Sequence, residues 1–254
     1  MPANLNAQAD SAVQPWREPP ANLGLGADEV HVWRASLNHS HHRLQHLHGT
    51  LVSEEWDRAV RFHFERDGRH YIAARGLLRE ILSRYLKLSP GSLRFKYTSY
   101  GKPYLTDECG GEWLRFNVSH SGELALYAIS RQRELGVDIE QVRTNIEHRQ
   151  IASAFFSEHE IKLLGALPEH LQEEAFFLCW TRKEAYIKGI GEGLSLPLHS
   201  FDVSLTPGSP ASLLAVRGDV QEARRWTLRS LEPGPGYFAA LVGEGRDWHL
   251  KCWQ

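Results

Sequence analysis

Apolar and polar residues alternate with a period of two along several short stretches, as in a β-strand whose two faces meet different surroundings. The pattern predicts strands at residues 29–35, 93–99, 114–118, 124–129, 201–205, 226–231, 237–242 and 249–253. Residues 119–122 would join two of these strands into a hairpin, and its tip holds Ser119, His120 and Ser121. Hydroxyl, imidazole and backbone N–H groups at such a tip can bind phosphate, or the tip can be only a turn.

Other stretches have the period of three to four residues that is typical of a helix with one buried face. This period predicts a helix at residues 69–87, after a break at Asp67 and Gly68. Ser157 and Glu160 have the spacing of a capping box, which gives Glu160 a structural task at the start of another helix. Pro168 begins the last predicted helix, which includes residues 180–188.

Two acidic stretches add candidate chemistry to this pattern. Val137 and Ile139 alternate with Asp138 and Glu140, so a strand would direct both carboxylates to the face opposite the apolar pair. Their Cβ atoms would be roughly 7 Å apart, near enough for a divalent ion or its waters to bridge the carboxylates. In the predicted helix, Glu184 lies four residues before Lys188 and shares a face with it.

Each acidic stretch alone has a simpler explanation. Asp138 and Glu140 could form the wet face of a strand, and Glu184 with Lys188 could form a surface ion pair worth about 0.2–0.5 kcal/mol. Taken together, carboxylates and nearby cations are the groups that a Mg²⁺ site for a diphosphate substrate requires. The residues by themselves therefore predict Mg²⁺-dependent phosphate chemistry.

Composition limits the class of protein. The chain of 254 residues, 42% hydrophobic and 24% charged, can form one large domain or two smaller ones. A net charge of −2 argues against a nucleic-acid partner, and no window approaches the ~20 apolar residues of a membrane span. Three scattered cysteines do not suit a disulfide framework, which favours a reducing, cytoplasmic location.

The order of the predicted elements divides the chain. Residues 1–28, rich in Pro, Ala, Asn and Gln, predict a flexible N-terminal extension. Residues 29–131 and 132–254 then share an order: a strand, a polar connection, a helix, a long helix with basic residues, and more strands. We therefore predict an α+β fold, a pseudo-duplicated chain of two similar α/β halves with a cleft between them.

Basic residues concentrate on the predicted helices of the first half. They are Arg58, Arg61, Arg66, Arg69, His70, Arg75 and Arg79. This concentration could bind an anion, or it could be a solvated face on which Glu65 and Glu80 form salt bridges. Charge alone favours the solvated face.

Five motifs occur in one order over about residues 101–197. They are Gly-Lys-Pro at 101–103, Phe-Asn-Val-Ser-His-Ser at 116–121, Gly-Val-Asp-Ile-Glu at 136–140, Phe-Phe-Ser at 155–157 with Glu160, and Trp-Thr-Arg-Lys-Glu-Ala-Tyr-Ile-Lys at 180–188, continued by residues 191–197. In these motifs the chain resembles the 4′-phosphopantetheinyl transferases of the surfactin-synthetase-activating type. The resemblance implies a monomer of two similar α+β halves with the active site at their junction.

Enzymes of that family move the 4′-phosphopantetheine arm of coenzyme A to a serine of an apo acyl or peptidyl carrier protein and release adenosine 3′,5′-bisphosphate. The resemblance implies that Asp138, Glu140 and Glu184 hold Mg²⁺ against the diphosphate of coenzyme A. Glu184 would also take the serine proton, directly or through a metal-bound water. Lys188, and less directly Lys183, would contact the diphosphate.

The resemblance also implies contacts for the rest of coenzyme A. Ser119, His120 and Lys102 would bind its phosphates and its adenosine end. Arg69 and Arg75 are the preferred partners of the 3′-phosphate, although Arg58, Arg61 and His70 are alternatives. The identity of the carrier, from fatty acid, polyketide or nonribosomal peptide biosynthesis, stays open.

Two other classes of function remain at this point. The chain could be a module that binds coenzyme A or a carrier protein without catalysis, or it could be a Mg²⁺-dependent phosphohydrolase. The presence of all three acids favours the transferase.

Overall fold

The computed structural model of the protein describes residues 15–143, 147–191 and 193–254. The elements up to residue 131 are β1 (Glu29–Ser36), α1 (His41–His48), α2 (Ser53–Ala59), α3 (Glu65–Leu86), β2 (Phe95–Tyr97), β3 (Pro103–Leu105), β4 (Leu114–Ser121) and β5 (Leu124–Arg131). The later elements are β6 (Leu135–Gln141), α4 (His148–Phe155), α5 (Glu158–Ala166), α6 (Glu169–Ile190), β7 (Phe201–Val203), β8 (Leu213–Val216), α7 (Val220–Ala223), β9 (Trp226–Leu231), β10 (Tyr237–Glu244) and β11 (His249–Trp253). In these ranges, no helix is both long and apolar enough to cross a membrane.

The two halves repeat one arrangement of strands and helices. In the described chain the larger sheet has the order β11-β1-β5-β4 and the second sheet has the order β6-β10-β9. The antiparallel triplet β1-β5-β4 therefore corresponds to β6-β10-β9, the small sheet β2-β3 corresponds to β7-β8, and the 22-residue helix α3 corresponds to α6. This repetition confirms the predicted α+β fold of two similar halves.

Three hydrophobic clusters show how the layers stack. On one face of the larger sheet, Tyr127 is buried with Leu78 of α3. On its other face, Val32 is buried with Leu241 of the second sheet. Helix α6 covers the outer face of the second sheet, where Phe177 belongs to the third cluster. The layers follow each other as α3, larger sheet, second sheet and α6, so the two sheets meet in the middle of the molecule.

In each half a buried glutamate connects a short helix to the long one. Glu55 of α2 accepts hydrogen bonds from Arg75 and Arg79 of α3. Burial would raise the pKa of Glu55, but the hydrogen bonds and charges of the two arginines lower it below its ordinary value. In the second half, fully buried Glu160 of α5 pairs with fully buried Lys183 of α6 at 2.7 Å. The predicted capping box of Ser157 and Glu160 is confirmed.

The first and last segments that the structure describes lie on the larger sheet. Although β11 comes from residues 132–254, it runs parallel to β1 of the first half. Residues 1–14 of the predicted flexible extension lie outside the described residues. The prediction is wrong for residues 15–28, because Trp16 donates to the Glu232 carbonyl, Arg17 pairs with β11 and Leu23 is buried.

Helix α3 begins at Glu65, so the predicted break at Asp67 and Gly68 is wrong. Gly68 lies inside the helix next to the end of α2. A Cβ atom at this glycine would lie 3.0 Å from the Ala59 carbonyl oxygen. The glycine thus marks a close approach of two helices.

Replacing Lys183 by alanine should lower the free energy of unfolding by about 3–5 kcal/mol, because Glu160 would be left as an unpaired buried charge. Urea unfolding at neutral pH would measure the loss. Arg225 is the matched control, since its exposed guanidinium pairs with Glu222 and Glu244. Its replacement by alanine should change stability by less than about 1 kcal/mol. Wild-type stability of the Lys183 variant would contradict the structural role.

Candidate active site

A glycine sets the distance between β6 and α6. A Cβ atom at Gly136 would lie 2.1 Å from the Ala185 carbonyl oxygen and 2.2 Å from the Gly189 nitrogen, so a larger residue would push the helix away. With the period of a strand, Asp138 and Glu140 follow Gly136 on the face toward α6. The predicted direction of both carboxylates, opposite to Val137 and Ile139, is therefore observed.

Asp138 is the most enclosed of the acids, with 2% of its surface exposed. Its Oδ1 atom accepts hydrogen bonds from Lys188 Nζ at 2.6 Å and from Ser119 Oγ at 2.9 Å. Its Oδ2 atom is buried without a hydrogen-bond partner. Burial raises the pKa of Asp138, although Lys188 and Ser119 act in the opposite direction.

Glu140 and Glu184 lie within electrostatic reach of Asp138. Burial raises the pKa of Glu140, and the charge of Asp138 raises it further. The pKa of Glu184 is raised by burial and by the charges of Asp138 and Glu140, while Lys188 opposes the shift. Asp138, Glu140, Glu184 and Lys188 therefore share one site at the face between β6 and α6.

The donor set of this site fits a hard divalent cation. Carboxylate oxygens are the ligands that Mg²⁺ prefers, and Asp138 Oδ2 is an orphaned acceptor that a cation would satisfy. The charge of Asp138 also raises the pKa of Glu140 and of Glu184, a repulsion that bound positive charge would relieve. In the part of the chain that the structure describes, no three His, Cys, Asp or Glu side chains are gathered tightly enough to enclose a metal ion as they stand.

The predicted hairpin tip is shorter than expected. Strand β4 continues to Ser121 and β5 begins at Leu124, so the turn contains only Gly122 and Glu123. Ser119 is consequently a strand residue that points toward Asp138, while His120 points to the other side of β4. Ser119 and His120, which were both predicted to bind phosphate, therefore lie on opposite faces of β4.

A small cationic cavity lies on the His120 side. Its volume is about 130 Å³, and it is lined by Leu37, Asn38, His39, Leu44, Arg66, Arg69, His70 and Glu123. The pKa of His120 is lowered by desolvation and by the charges of Lys188 and His70, although the residue is partly exposed to solvent. Arg69 remains a candidate for anion binding, and His70, an alternative in the sequence, joins it.

Three cations that were predicted to contact the ligand bond within the protein. Lys183 is held by Glu160 and by the carbonyl oxygens of Leu198 and Phe201. Arg75 is buried against Glu55, with its guanidinium 4.0 Å from the ring centre of Phe95. Both cations are therefore held in buried ion pairs.

Lys102, the third, also bonds within the protein. Its Nζ atom donates to Glu134 and to the carbonyl oxygens of Leu135 and Gly189. A cation at the carboxyl end of α6 is favourable for the helix dipole. Lys102 thus connects the turn after β2 to the start of β6 and the end of α6.

Residue 192 of the motif at 191–197 lies outside the described residues.

Sequence reasoning gave no separate role to Asn117, and it placed the hydroxyl of Ser121 at a hairpin tip that could bind phosphate. Asn117 Oδ1 accepts from the Val137 N–H at 2.9 Å, and Ser121 Oγ bonds to Glu140 at 2.9 Å. The available signal was the spacing of Asn117, Ser119 and Ser121 at every second residue, which places all three on one face of a strand.

Comparisons with known proteins agree with this arrangement. A sequence profile described as the 4′-phosphopantetheinyl transferase superfamily matches residues 134–242, and one described as 4′-phosphopantetheinyl transferase, N-terminal, matches residues 32–132. The chain is 41% identical over 238 residues to the 4′-phosphopantetheinyl transferase HetI of Nostoc sp., covering 94% of this chain and 97% of the relative. It is 35% identical over 199 residues to the 4′-phosphopantetheinyl transferase Sfp of Bacillus subtilis, covering 78% and 84% of the two chains.

The duplicated fold and the acidic site therefore belong to an enzyme. The chain is a member of the 4′-phosphopantetheinyl transferase superfamily, which confirms the resemblance seen in its motifs.

Replacing Glu184 by glutamine should stabilise the protein at alkaline pH in the absence of divalent ions. Because folding raises the pKa of Glu184, the folded state keeps this proton to a higher pH than the unfolded chain, and stability is lost as the pH rises through the folded pKa. The gain at about pH 8 should be about 1.4 kcal/mol per pKa unit of the shift, and it should vanish near pH 4.

Urea unfolding at both pH values would measure this difference. The control is Glu169→Gln, because the Glu169 side chain is 92% exposed on the same helix and should show little effect at either pH. Equal stability of the Glu184 variant and the wild type at pH 8 would show that folding does not raise the pKa of this carboxylate.

Proposed function

We propose that the protein transfers the 4′-phosphopantetheine arm of coenzyme A to a serine of an apo acyl or peptidyl carrier protein, with Mg²⁺ as cofactor and adenosine 3′,5′-bisphosphate as the second product. The proposal includes a monomer that acts in the cytoplasm. The observation that supports it most is the buried, unpartnered Oδ2 atom of Asp138, next to Glu140 and Glu184 and within reach of the Lys188 ammonium.

Asp138, Glu140 and Glu184 are the residues that would hold Mg²⁺. When bound, the ion would orient the diphosphate of coenzyme A and offset the charge that grows on the leaving phosphate. Lys188 carries its ammonium beside the same carboxylates and is 29% exposed, so it can also face the diphosphate. Lys183 has no part in the proposal, because it is buried with Glu160.

Glu184 is the proposed base. Its side chain is partly exposed at the face of α6, beside Asp138 and Lys188, where a serine hydroxyl can approach it. The serine oxygen would bond to the phosphorus that carries the pantetheine arm, while the bond from that phosphorus to the bridging oxygen breaks. Glu184 would take the serine proton, and adenosine 3′,5′-bisphosphate would leave with the bridging oxygen.

The cationic cavity is the proposed place of the 3′-phosphate end. Arg69 and His70 line this cavity, and His120 lies within electrostatic reach of His70. The Arg69 guanidinium would complement the charge of a phosphate, and the imidazole rings would supply further hydrogen-bond donors. Ser119 lies on the opposite face of β4, so it would act beside the acids and Lys188 rather than at this phosphate.

A transfer assay tests the proposal directly. The protein is incubated with fluorescent coenzyme A, Mg²⁺ and an apo carrier protein, and labelled carrier is separated on a gel. Chelation of the metal by EDTA should abolish labelling, and Glu184→Ala should lower its rate by about 10²–10⁴-fold because it removes a base and a ligand. Parallel reactions with a fatty-acid carrier and a peptidyl carrier would show which class is preferred.

Two other outcomes of this assay would reject the transferase. Tight binding of coenzyme A without any labelled carrier would indicate a binding module. Release of phosphopantetheine into water, independent of the carrier, would indicate a phosphohydrolase.

Binding of adenosine 3′,5′-bisphosphate without metal should tighten as the pH falls from about 8 to about 6. The pKa of His120 is lowered in the free protein, and a bound phosphate would raise it, so the complex would take up a proton as the pH falls and the charged ring would hold the phosphate more tightly. Calorimetric titration at both pH values would measure the effect, and His120→Gln should reduce it. His249, an exposed histidine on β11, is the control position. An unchanged pH dependence in the His120 variant would remove His120 from the phosphate site.

A further inference from the structure

Strands β4 and β6 are connected by side chains. Asn117 Oδ1, Ser119 Oγ and Ser121 Oγ of β4 accept the main-chain N–H groups of Val137, Ile139 and Gln141, at 2.9, 3.4 and 3.0 Å. Each contact joins a residue to the one 20 positions later. We call these three contacts the polar ladder. All three side chains of the polar ladder are buried, with 4–6% of their surfaces exposed.

The polar ladder has an amide oxygen at Asn117 and hydroxyl groups at Ser119 and Ser121, which lie beside the acids. A serine hydroxyl can accept one hydrogen bond and donate another at the same time, whereas an amide oxygen only accepts. Ser119 donates to Asp138 Oδ1 and Ser121 donates to Glu140 Oε2, each at 2.9 Å. Asn117 lies opposite the part of β6 that carries Gly136, where there is no carboxylate. Each hydroxyl therefore links a fixed main-chain N–H group to the side chain of an acid.

Ser121 has no other task in the described structure. Ser119 also contacts Lys188 and belongs to the active site already described. The Ser121 hydroxyl bonds only to Gln141 N and Glu140 Oε2 among the described residues. The turn beside it is held in place, because Tyr237 accepts the Glu123 N–H and a Cβ atom at Gly122 would lie 2.3 Å from the Gln141 side chain.

We propose that Ser121 is a positioning residue. Its hydroxyl links the carboxylate of Glu140 to the main chain of β6 and so fixes the orientation of that carboxylate for metal binding. The inference rests on the proposed metal site of Asp138, Glu140 and Glu184. Partners of this kind, which hydrogen-bond to a metal ligand, orient it, and their loss typically weakens metal affinity.

The experiment measures Mn²⁺ binding to the full chain by electron paramagnetic resonance, without coenzyme A or carrier. Ser121→Ala removes both hydrogen bonds and should raise the dissociation constant about tenfold. Ser121→Thr keeps the hydroxyl and should stay within about threefold of the wild type. In the transfer assay, the Ser121→Ala enzyme should need more Mg²⁺ for half-maximal rate, and saturating Mg²⁺ should restore most of its kcat.

Two controls separate positioning from stability. Asn117→Ala removes a contact of the polar ladder that touches no acid. Ser130→Ala removes a buried hydroxyl of β5 that donates to the Arg133 carbonyl. Both should lower the urea midpoint without changing Mn²⁺ affinity by more than about twofold, because neither bonds to a metal ligand.

The outcomes distinguish this inference from the proposed function. If the wild type binds Mn²⁺ and Ser121→Ala binds it equally well, the positioning role is wrong and the metal site stands. Equal weakening by Asn117→Ala and Ser121→Ala would also overturn it, because the polar ladder would then act only by holding the strand. If the wild type itself does not bind Mn²⁺, the proposed metal site fails, and the role of Ser121 fails with it.

Discussion

The active site depends on how the facing edges of β4 and β6 satisfy their hydrogen bonds. An N–H group buried without a partner costs about 1–3 kcal/mol, and in the described chain no main-chain ladder joins these two strands. Asn117, Ser119 and Ser121 supply the missing acceptors. Because side chains repeat every second residue, this solution also fixes the register of β6. A shift by one residue would turn Asp138 and Glu140 away from α6 and would bring Val137 and Ile139 toward it.

The duplicated fold uses the same face of a strand in two ways. In the second half, β6 presents Gly136, Asp138 and Glu140 to α6, and the close approach at Gly136 leaves the acids beside the helix. In the first half, β1 presents His31 and Trp33 to α3, where both bond to the Tyr85 hydroxyl at 2.8 Å. Burial lowers the pKa of His31 to about 4, so this ring is neutral near pH 7. The face of the strand that carries charged side chains in the second half therefore carries neutral aromatic side chains in the first half.

The sequence predicted those features that depend on local spacing. The directions of Asp138 and Glu140, the shared face of Glu184 and Lys188, the capping box of Ser157 and the repeated order of elements all follow from periods of two or 3.6 residues. It could not predict which cations are held by internal partners, because the glutamates that pair with Lys183, Arg75 and Lys102 are brought to them only by tertiary packing. The hairpin was misjudged because Ser119 and Ser121 have the composition of a turn, and their acceptor role exists only once β6 lies beside β4.

Charge pairing finally explains why this part of the interior can be reactive. Glu55 lies between two arginines, and Glu160 accepts from Lys183, from the Ser157 N–H and from the Val203 N–H. These glutamates are saturated with partners, so they stabilise the connection of short and long helices. At the junction of the halves, Lys188 is the cation that contacts Asp138, and one oxygen of that aspartate has no hydrogen-bond partner. Burial raises the pKa of all three acids, and the charges of neighbouring acids raise those of Glu140 and Glu184 further. A substrate diphosphate alone would add more negative charge beside these acids, which is the physical reason for including a divalent cation in the proposed function.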